Sequence, residues 1–404
     1  MSGRILMIGT FDSKGSEFHF LRERILEAGC EVIAVNAGSA GSTNLFPVEI
    51  EADAVADAGG QSLDLLRESR DRGQAISVMS AGAAVVARNL FSQGRFDGII
   101  GMGGSGGTGI VTAAMRVLPI GVPKVCVSTL AAGDVSPFVG AKDIVMLPSI
   151  VDVAGINRIS RTILSRAAGA VCGMVAVTVP ESDDDRPLIA ASMFGNTTQC
   201  VDVCRDLLDG NGYETLVFHA TGTGGQILES VAAEGYVEAV LDITTTEWAD
   251  ELCGGILAAG PDRLAAPGRR GLPHLIVPGC LDMCNFGPVS TVPERYRNSD
   301  RVFYEWTPAV TLMRTTAAEN TRLGEIFAEK ANAARGPVGF LIPLQGISVL
   351  DADGGLFFDR EADQAFTTAL KAGLSDSIPV VECDANINDR VFAEQAVSMM
   401  LELI

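Results

Sequence analysis

The stretch Ile99-Ile100-Gly101-Met102-Gly103-Gly104-Ser105-Gly106-Gly107-Thr108-Gly109 decides how this chain is read. An apolar run, Phe96 to Ile100, empties into glycines broken by one serine and one threonine, and a helix-compatible segment, Ile110 to Val117, follows. Strand, glycine-rich loop and helix start can bring bare N–H groups and a helix N-terminus against a phosphate. A second reading stays open, in which the glycines only let a helix pack tightly on a strand. Two familiar nucleotide fingerprints are incomplete here. The P-loop needs Lys-Ser/Thr after its last glycine, and Thr108-Gly109-Ile110 has no lysine. G-x-G-x-x-G fits Gly101, Gly103 and Gly106, but Lys124, Ser128 and Thr129 stand where the ribose-binding carboxylate belongs.

Outward from this stretch, apolar runs alternate with helical segments. Arg4–Thr10, Cys30–Val35, Phe96–Gly101, Lys124–Ser128 and Asp143–Pro148 read as strands; Ser16–Ala28, Ser62–Arg70, Gly82–Gln93, Thr108–Val117 and Gly155–Cys172 read as helices. Strands apolar along their whole length imply a parallel sheet covered on both faces. The scheme repeats after a proline- and aspartate-rich linker, Val179–Arg186, giving expected domains over 1–180 and 187–404. The fold class expected is α/β: two doubly wound, Rossmann-like domains with mostly parallel sheets.

Composition narrows the partners. A formal charge of −20 would repel a nucleic-acid backbone, so no nucleic-acid partner is expected. An anionic ligand must be held by local backbone dipoles and a few cations, which draws attention to Lys14. Apolar runs are expected to be interrupted before membrane-spanning length, and Ile5–Ile8 is too short for a signal h-region. Nine cysteines without framework spacing point to free thiols in a reducing cytoplasm, with no membrane association.

In doubly wound sheets, ligands bind beyond the carboxyl ends of the strands, and the residues there are small, polar and rich in glycine. Thr10, Asp12 and Lys14 follow the first strand; Lys14 can neutralise a phosphate and Asp12 can hold magnesium through water. Helix capping accounts for Ser13, Ser16 and Glu17 in the same segment. In the second half the candidates for a small polar metabolite are Asn196, Thr197, Thr221, Gly222, Thr223, Gly224, Asp282 and Asn285. Asp282, His219 and Glu247 are the candidates for acid–base work. Each has a plain structural alternative: a half-buried strand histidine, a helix start after Thr245 and Thr246, and turn formation around Asp282 and Asn285. No Ser-His-Asp or Cys-His set emerges by spacing.

Taken together, the loops resemble one family. The segments are Gly9-Thr10-Phe11-Asp12-Ser13-Lys14-Gly15, Gly101 to Thr108, Met193 to Thr198, Phe218 to Gly225, Thr244-Thr245-Thr246-Glu247, Pro278 to Met283 with Asn285-Phe286-Gly287, Val310 to Thr316, and Pro343 to Ser348 with Asp351. They are similar to the uncharacterised two-domain proteins related to the N-terminal part of the tomato mosaic virus resistance protein, an ATP-binding-like family. The resemblance implies two Rossmann-like domains, a homodimer, and ATP on the N-terminal domain. Carried onto this sequence, the nucleotide falls on Gly103, Gly104, Ser105, Gly106, Gly107 and Thr108, with Thr10, Asp12 and Lys14 nearby. It implies no reaction. Two functions remain open: ATP-dependent transfer or hydrolysis on a metabolite in a cleft between the domains, or a non-catalytic nucleotide sensor. One departure stands out: Glu305-Trp306-Thr307 lies before Pro308, where the family usually shows His-Asn.

Overall fold

The computed structural model describes residues 3–180 and 185–404. The chain divides into two compact units, Met1–Glu181 and Ser182–Ile404. Of the linker expected over Val179–Arg186, residues 181–184 lie outside the described residues.

In the first unit five strands are all parallel: β1 (Arg4–Gly9), β2 (Glu31–Asn36), β3 (Gly98–Gly103), β4 (Lys124–Ser128) and β5 (Val145–Pro148). Their order is β2-β1-β3-β4-β5, so the chain changes direction between β1 and β3. Alternation along each strand builds two cores. Leu6, Ile8, Val35, Ile99 and Cys126 pack with the helices Arg72–Ser92 and Ser105–Arg116. Ile5, Met7, Ala34, Ile100 and Val127 face the helices Phe11–Glu27 and Arg158–Ala176. Burial on both faces is why these strands read as unbroken apolar runs.

The helix Arg72–Ser92 is capped by Asp71, which accepts the Gln74 N–H at 3.0 Å. It starts ten residues before the expected Gly82. By length and composition it is apolar enough to cross a membrane, with Gly82 and Arg88 interrupting its apolar run. Met79, Ala83, Ala87 and Leu90 on this helix lie in the first unit's core instead.

In the second unit the strands are β6 (Leu188–Met193), β7 (Glu214–His219), β8 (Ala239–Thr244), β9 (His274–Gly279), β10 (Met283–Phe286), β11 (Phe303–Thr307), β12 (Val310–Arg314), β13 (Val338–Pro343) and β14 (Val380–Cys383). Six of them form a parallel sheet, ordered β14-β13-β9-β8-β6-β7. The other three form an antiparallel sheet, β10-β12-β11, which the strand–helix alternation of the sequence does not announce. The four residues of β10 are all buried and follow a turn, so they show no alternation. β12 carries Thr311 and Arg314 inward, which hides its pattern.

The glycine stretch differs from expectation in one respect. β3 runs on to Gly103 and the next helix begins at Ser105, leaving Gly104 alone between them. A Cβ on Gly101 would stand 2.5 Å from the Ile8 carbonyl oxygen, and one on Gly103 would stand 2.7 Å from the Gly107 Cα. Those glycines let helix and strand approach. The close packing of helix on strand therefore rests on Gly101 and Gly103 in particular.

Candidate functional site

Where the order of the first sheet reverses, a cavity of about 750 Å³ opens beyond the ends of β1, β2 and β3. Such a reversal is where doubly wound sheets bind ligands. Thr10, Asp12, Lys14, Gly103, Gly104, Ser105, Gly106 and Gly107 all line this cavity. Thr108 does not. It is fully buried, with its hydroxyl 2.7 Å from Ser128 Oγ and 3.3 Å from the Gly103 carbonyl oxygen. Through these bonds it pins helix to strand.

Asn36, at the end of β2, organises the rim. Its Oδ1 accepts the N–H groups of Phe11 (3.2 Å) and Gly38 (3.0 Å), and its Nδ2 donates to Gly41 O (2.9 Å) and Glu51 Oε2 (3.0 Å). Asp12 Oδ2 accepts the Ala40 N–H at 2.8 Å. Gly38 has to be glycine, because a Cβ there would lie 2.5 Å from the Asp12 carboxylate. These bonds fix the loop after β2 against the start of the helix Phe11–Glu27, which breaks helical geometry at Lys14.

Electrostatically the cavity has unspent donors. The helix Ser105–Arg116 has no side-chain cap, and the Thr108 N–H is its first to find a carbonyl, Gly104 O. The N–H groups of Ser105, Gly106 and Gly107 have no acceptor among the described residues. Lys14, Arg70 and Arg72 line the cavity without a carboxylate partner among the described residues. Arg67 is engaged, with its Nε donating to Ser39 O at 2.7 Å. Leu66, Ile76, Met79 and Ile110 supply an apolar wall. The arginines escaped the sequence reading, which took Ser62–Arg70 for one helix. The usable signal was the dense run Arg67-Glu68-Ser69-Arg70-Asp71-Arg72, where Arg70 turns the chain with a φ of 52°.

The matching loop of the second unit is arranged differently. The N–H groups of Gly222 (2.8 Å) and Gly225 (3.0 Å), at the start of the helix Thr223–Glu234, both donate to Glu247 Oε1. Glu247 Oε2 accepts from Arg263 Nε at 2.7 Å. Arg263 is buried and also contacts Asp242 and Glu229, and His274 Nε2 lies 2.8 Å from Asp242 Oδ2. Burial alone would raise the Asp242 carboxyl, but the charge and hydrogen bonds of Arg263 and His274 hold it below the usual range. A carboxylate of the chain itself thus occupies the anion position offered by Gly222 and Gly225.

The remaining candidates fall into separate groups. Thr197 Oγ1 lies 2.7 Å from Thr244 Oγ1 in the interior. Asn196 is buried beside Met283 Sδ, 3.5 Å from its Nδ2, and its Oδ1 has no partner among the described residues. Asn285 Nδ2 donates to Asp250 Oδ2 at 2.7 Å, whereas Asp282 Oδ2 accepts from Ser348 Oγ at 2.8 Å. These two, expected to act together, belong to different networks. His219 is exposed against Phe194, with ring centroids 5.4 Å apart, and Thr221 Oγ1 donates to its carbonyl oxygen. Thr223 is exposed on the rim, and a Cβ on Gly224 would strike the His219 carbonyl oxygen. Trp306 is half-exposed on β11, edge-on to Tyr304.

Burial pushes the Asp282 carboxyl up to about 6. Burial, reinforced by Asp282 and Asp363, pushes Asp351 up to about 8. Among the described residues no group of three or more His, Cys, Asp and Glu side chains could hold a metal.

Comparison with known proteins places these features in a family. Residues 3–180 match the family model described as the N-terminal domain of the Uncharacterised protein family (UPF0261), and residues 186–404 match its C-terminal domain. The chain is 47% identical over 394 residues to a UPF0261 protein of Clostridium tetani, covering 97% of each. It is 45% identical over 404 residues to a UPF0261 protein of Mesorhizobium japonicum, covering 99% of each. It is also 36% identical to the ToMV resistance protein Tm-1 of Solanum lycopersicum, with all of this chain aligned to 56% of that protein. The chain belongs to the UPF0261 family and carries both of its domains.

Proposed function

We propose that the first unit binds a nucleoside triphosphate, with its phosphates on the N–H groups of Ser105, Gly106 and Gly107. The observation that carries this reading is the set of three amides and three cations, Lys14, Arg70 and Arg72, that have no acceptor or carboxylate partner among the described residues around one cavity. Helix-start amides and local positive charge offset the repulsion of a strongly acidic chain. The apolar wall of Leu66, Ile76, Met79 and Ile110 suits a nucleobase. The choice of ATP over other nucleotides rests on the family resemblance. Magnesium would arrive on the phosphates and be met by Asp12, whose Oδ2 is held by Ala40 N–H, since magnesium commonly needs only one or two carboxylates.

Thermal shift with ATP, ADP, AMP and NAD tests the reading. ATP is expected to raise the melting temperature most, and no stabilisation by ATP rejects it. Of the two functions left open, burial of Glu247 and Asp282 within hydrogen-bonded networks favours the sensor, and exposed His219 is the acid–base candidate left to ATP-dependent transfer or hydrolysis. ATP turnover measured with a panel of small polar metabolites distinguishes sensor from enzyme. The same reading takes the protein to be a cytoplasmic homodimer, which sedimentation reports as twice 42.2 kDa.

A further inference from the structure

The second unit contains a cavity of about 300 Å³, lined by none of that unit's candidate site residues. It lies beyond the carboxyl ends of β9, β13 and β14, where Pro278, Pro343 and Glu382 stand. Its walls are mainly apolar, formed by Leu281, Ile342, Ile347 and Phe366. Ligand sites commonly combine such walls with a few placed polar groups.

One polar group in this cavity is unmet. Asn320 is fully buried, and its Nδ2 donates to Thr315 Oγ1 (2.9 Å) and Thr316 O (3.0 Å). Those two bonds fix which end of the amide is which. Its Oδ1 is left with no donor among the described residues, although a buried amide oxygen ordinarily has one.

The charges around the cavity are already matched. Asp363 accepts from Arg314 Nη2 (2.7 Å) and Arg360 Nη1 (2.8 Å). Arg360 also meets Asp351 at 3.1 Å, and Glu382 accepts from Lys371 at 2.6 Å. A charged ligand would be desolvated here without a counter-charge.

We propose that this cavity binds a compact, uncharged molecule with an apolar body and one N–H or O–H donor, the donor meeting Asn320 Oδ1. The site is independent of the nucleotide reading and its ligand differs in chemical class.

Saturation-transfer NMR on the full chain tests it with two pairs of probes of similar shape. Indole and phenol carry a donor; benzofuran and fluorobenzene do not. Indole and phenol are expected to bind, and the donor-free partners about tenfold more weakly or worse. Thr367 and Gln364 line the cavity from the helix Arg360–Gly373. Thr367→Phe should therefore abolish the signals, and Gln364→Trp provides a second filled cavity should the first variant fail to fold. Equal binding within each pair, no signal from any of the four at millimolar concentration, or signals unchanged in a folded filled variant would overturn the proposal. The signals are expected to be the same with and without ATP, so failure at either site is read separately.

Discussion

Glu247 Oε1 lies 3.0 Å from the backbone nitrogen of Gly225 and accepts its N–H, so the start of the helix Thr223–Glu234 already holds an anion belonging to the chain. A Cβ on Gly225 would come within 2.2 Å of that carboxylate. The carboxylate also neutralises buried Arg263. Glu247→Gln should therefore lower the unfolding free energy by about 1–3 kcal/mol, the cost of weakening the hydrogen bonds from Gly222, Gly225 and Arg263, whose charge Asp242 and Glu229 still match. Urea denaturation measures this, and a loss near zero would show that Glu247 is dispensable to the network.

In the first unit the glycines should separate by role. A Cβ on Gly106 meets only the movable end of Ile76, at 2.9 Å, whereas one on Gly103 meets the backbone of Gly107. Gly106→Leu should keep its melting temperature within a few degrees and lose nucleotide binding. Gly103→Ala should destabilise the fold by roughly 1–3 kcal/mol. Calorimetric titration beside thermal melting checks both, and nucleotide binding retained in Gly106→Leu would make this stretch purely structural.

Lys14→Ala and Arg72→Ala should each weaken ATP binding by about tenfold or more, as expected on losing a charge-assisted hydrogen bond of roughly 1.5–3 kcal/mol. The affinity of the wild type should fall as salt is added, and fall less steeply in either variant. Calorimetric titration at two ionic strengths tests this. Unaltered affinity in both variants would place the phosphates elsewhere.

Stability should also fall with rising pH above the acidic range. Burial raises Asp282 to about 6, Asp250 to about 7 and, with help from Asp282 and Asp363, Asp351 to about 8. Each raised carboxyl keeps a proton in the folded chain that the unfolded chain releases near pH ~3.9. Its stabilising share is complete below that value and is lost as pH rises through the folded values, at up to about 1.4 kcal/mol per pH unit for each group. Asp351→Asn should flatten the decline between pH 5 and pH 8 in urea denaturation. An unchanged slope would remove Asp351 from this account.

Much of the architecture was legible in the sequence. Ile5 to Ile8 announced a doubly covered strand because burial on both faces leaves no polar alternation. The antiparallel sheet was less visible: β10 is only four residues long, and β12 buries Thr311 and Arg314, the latter bonded to the distant Phe357 carbonyl oxygen and Asp363. Of the first unit's candidates, Thr10, Asp12, Lys14 and Gly103 to Gly107 meet at one cavity. Arg70 and Arg72 escaped because a turn, rather than a periodic pattern, brings them there.

Periodicity and loop chemistry are local, so the sequence by itself determined two α/β units and a ring of small polar residues at the strand ends. Tertiary structure alone decided which glycine-rich helix start is open. Gly222 and Gly225 look as available as Ser105 to Gly107 until Glu247, more than twenty residues away, is seen to accept their N–H groups. Whether an amide is spent depends on where a distant acceptor folds, and neighbouring residues carry no record of that.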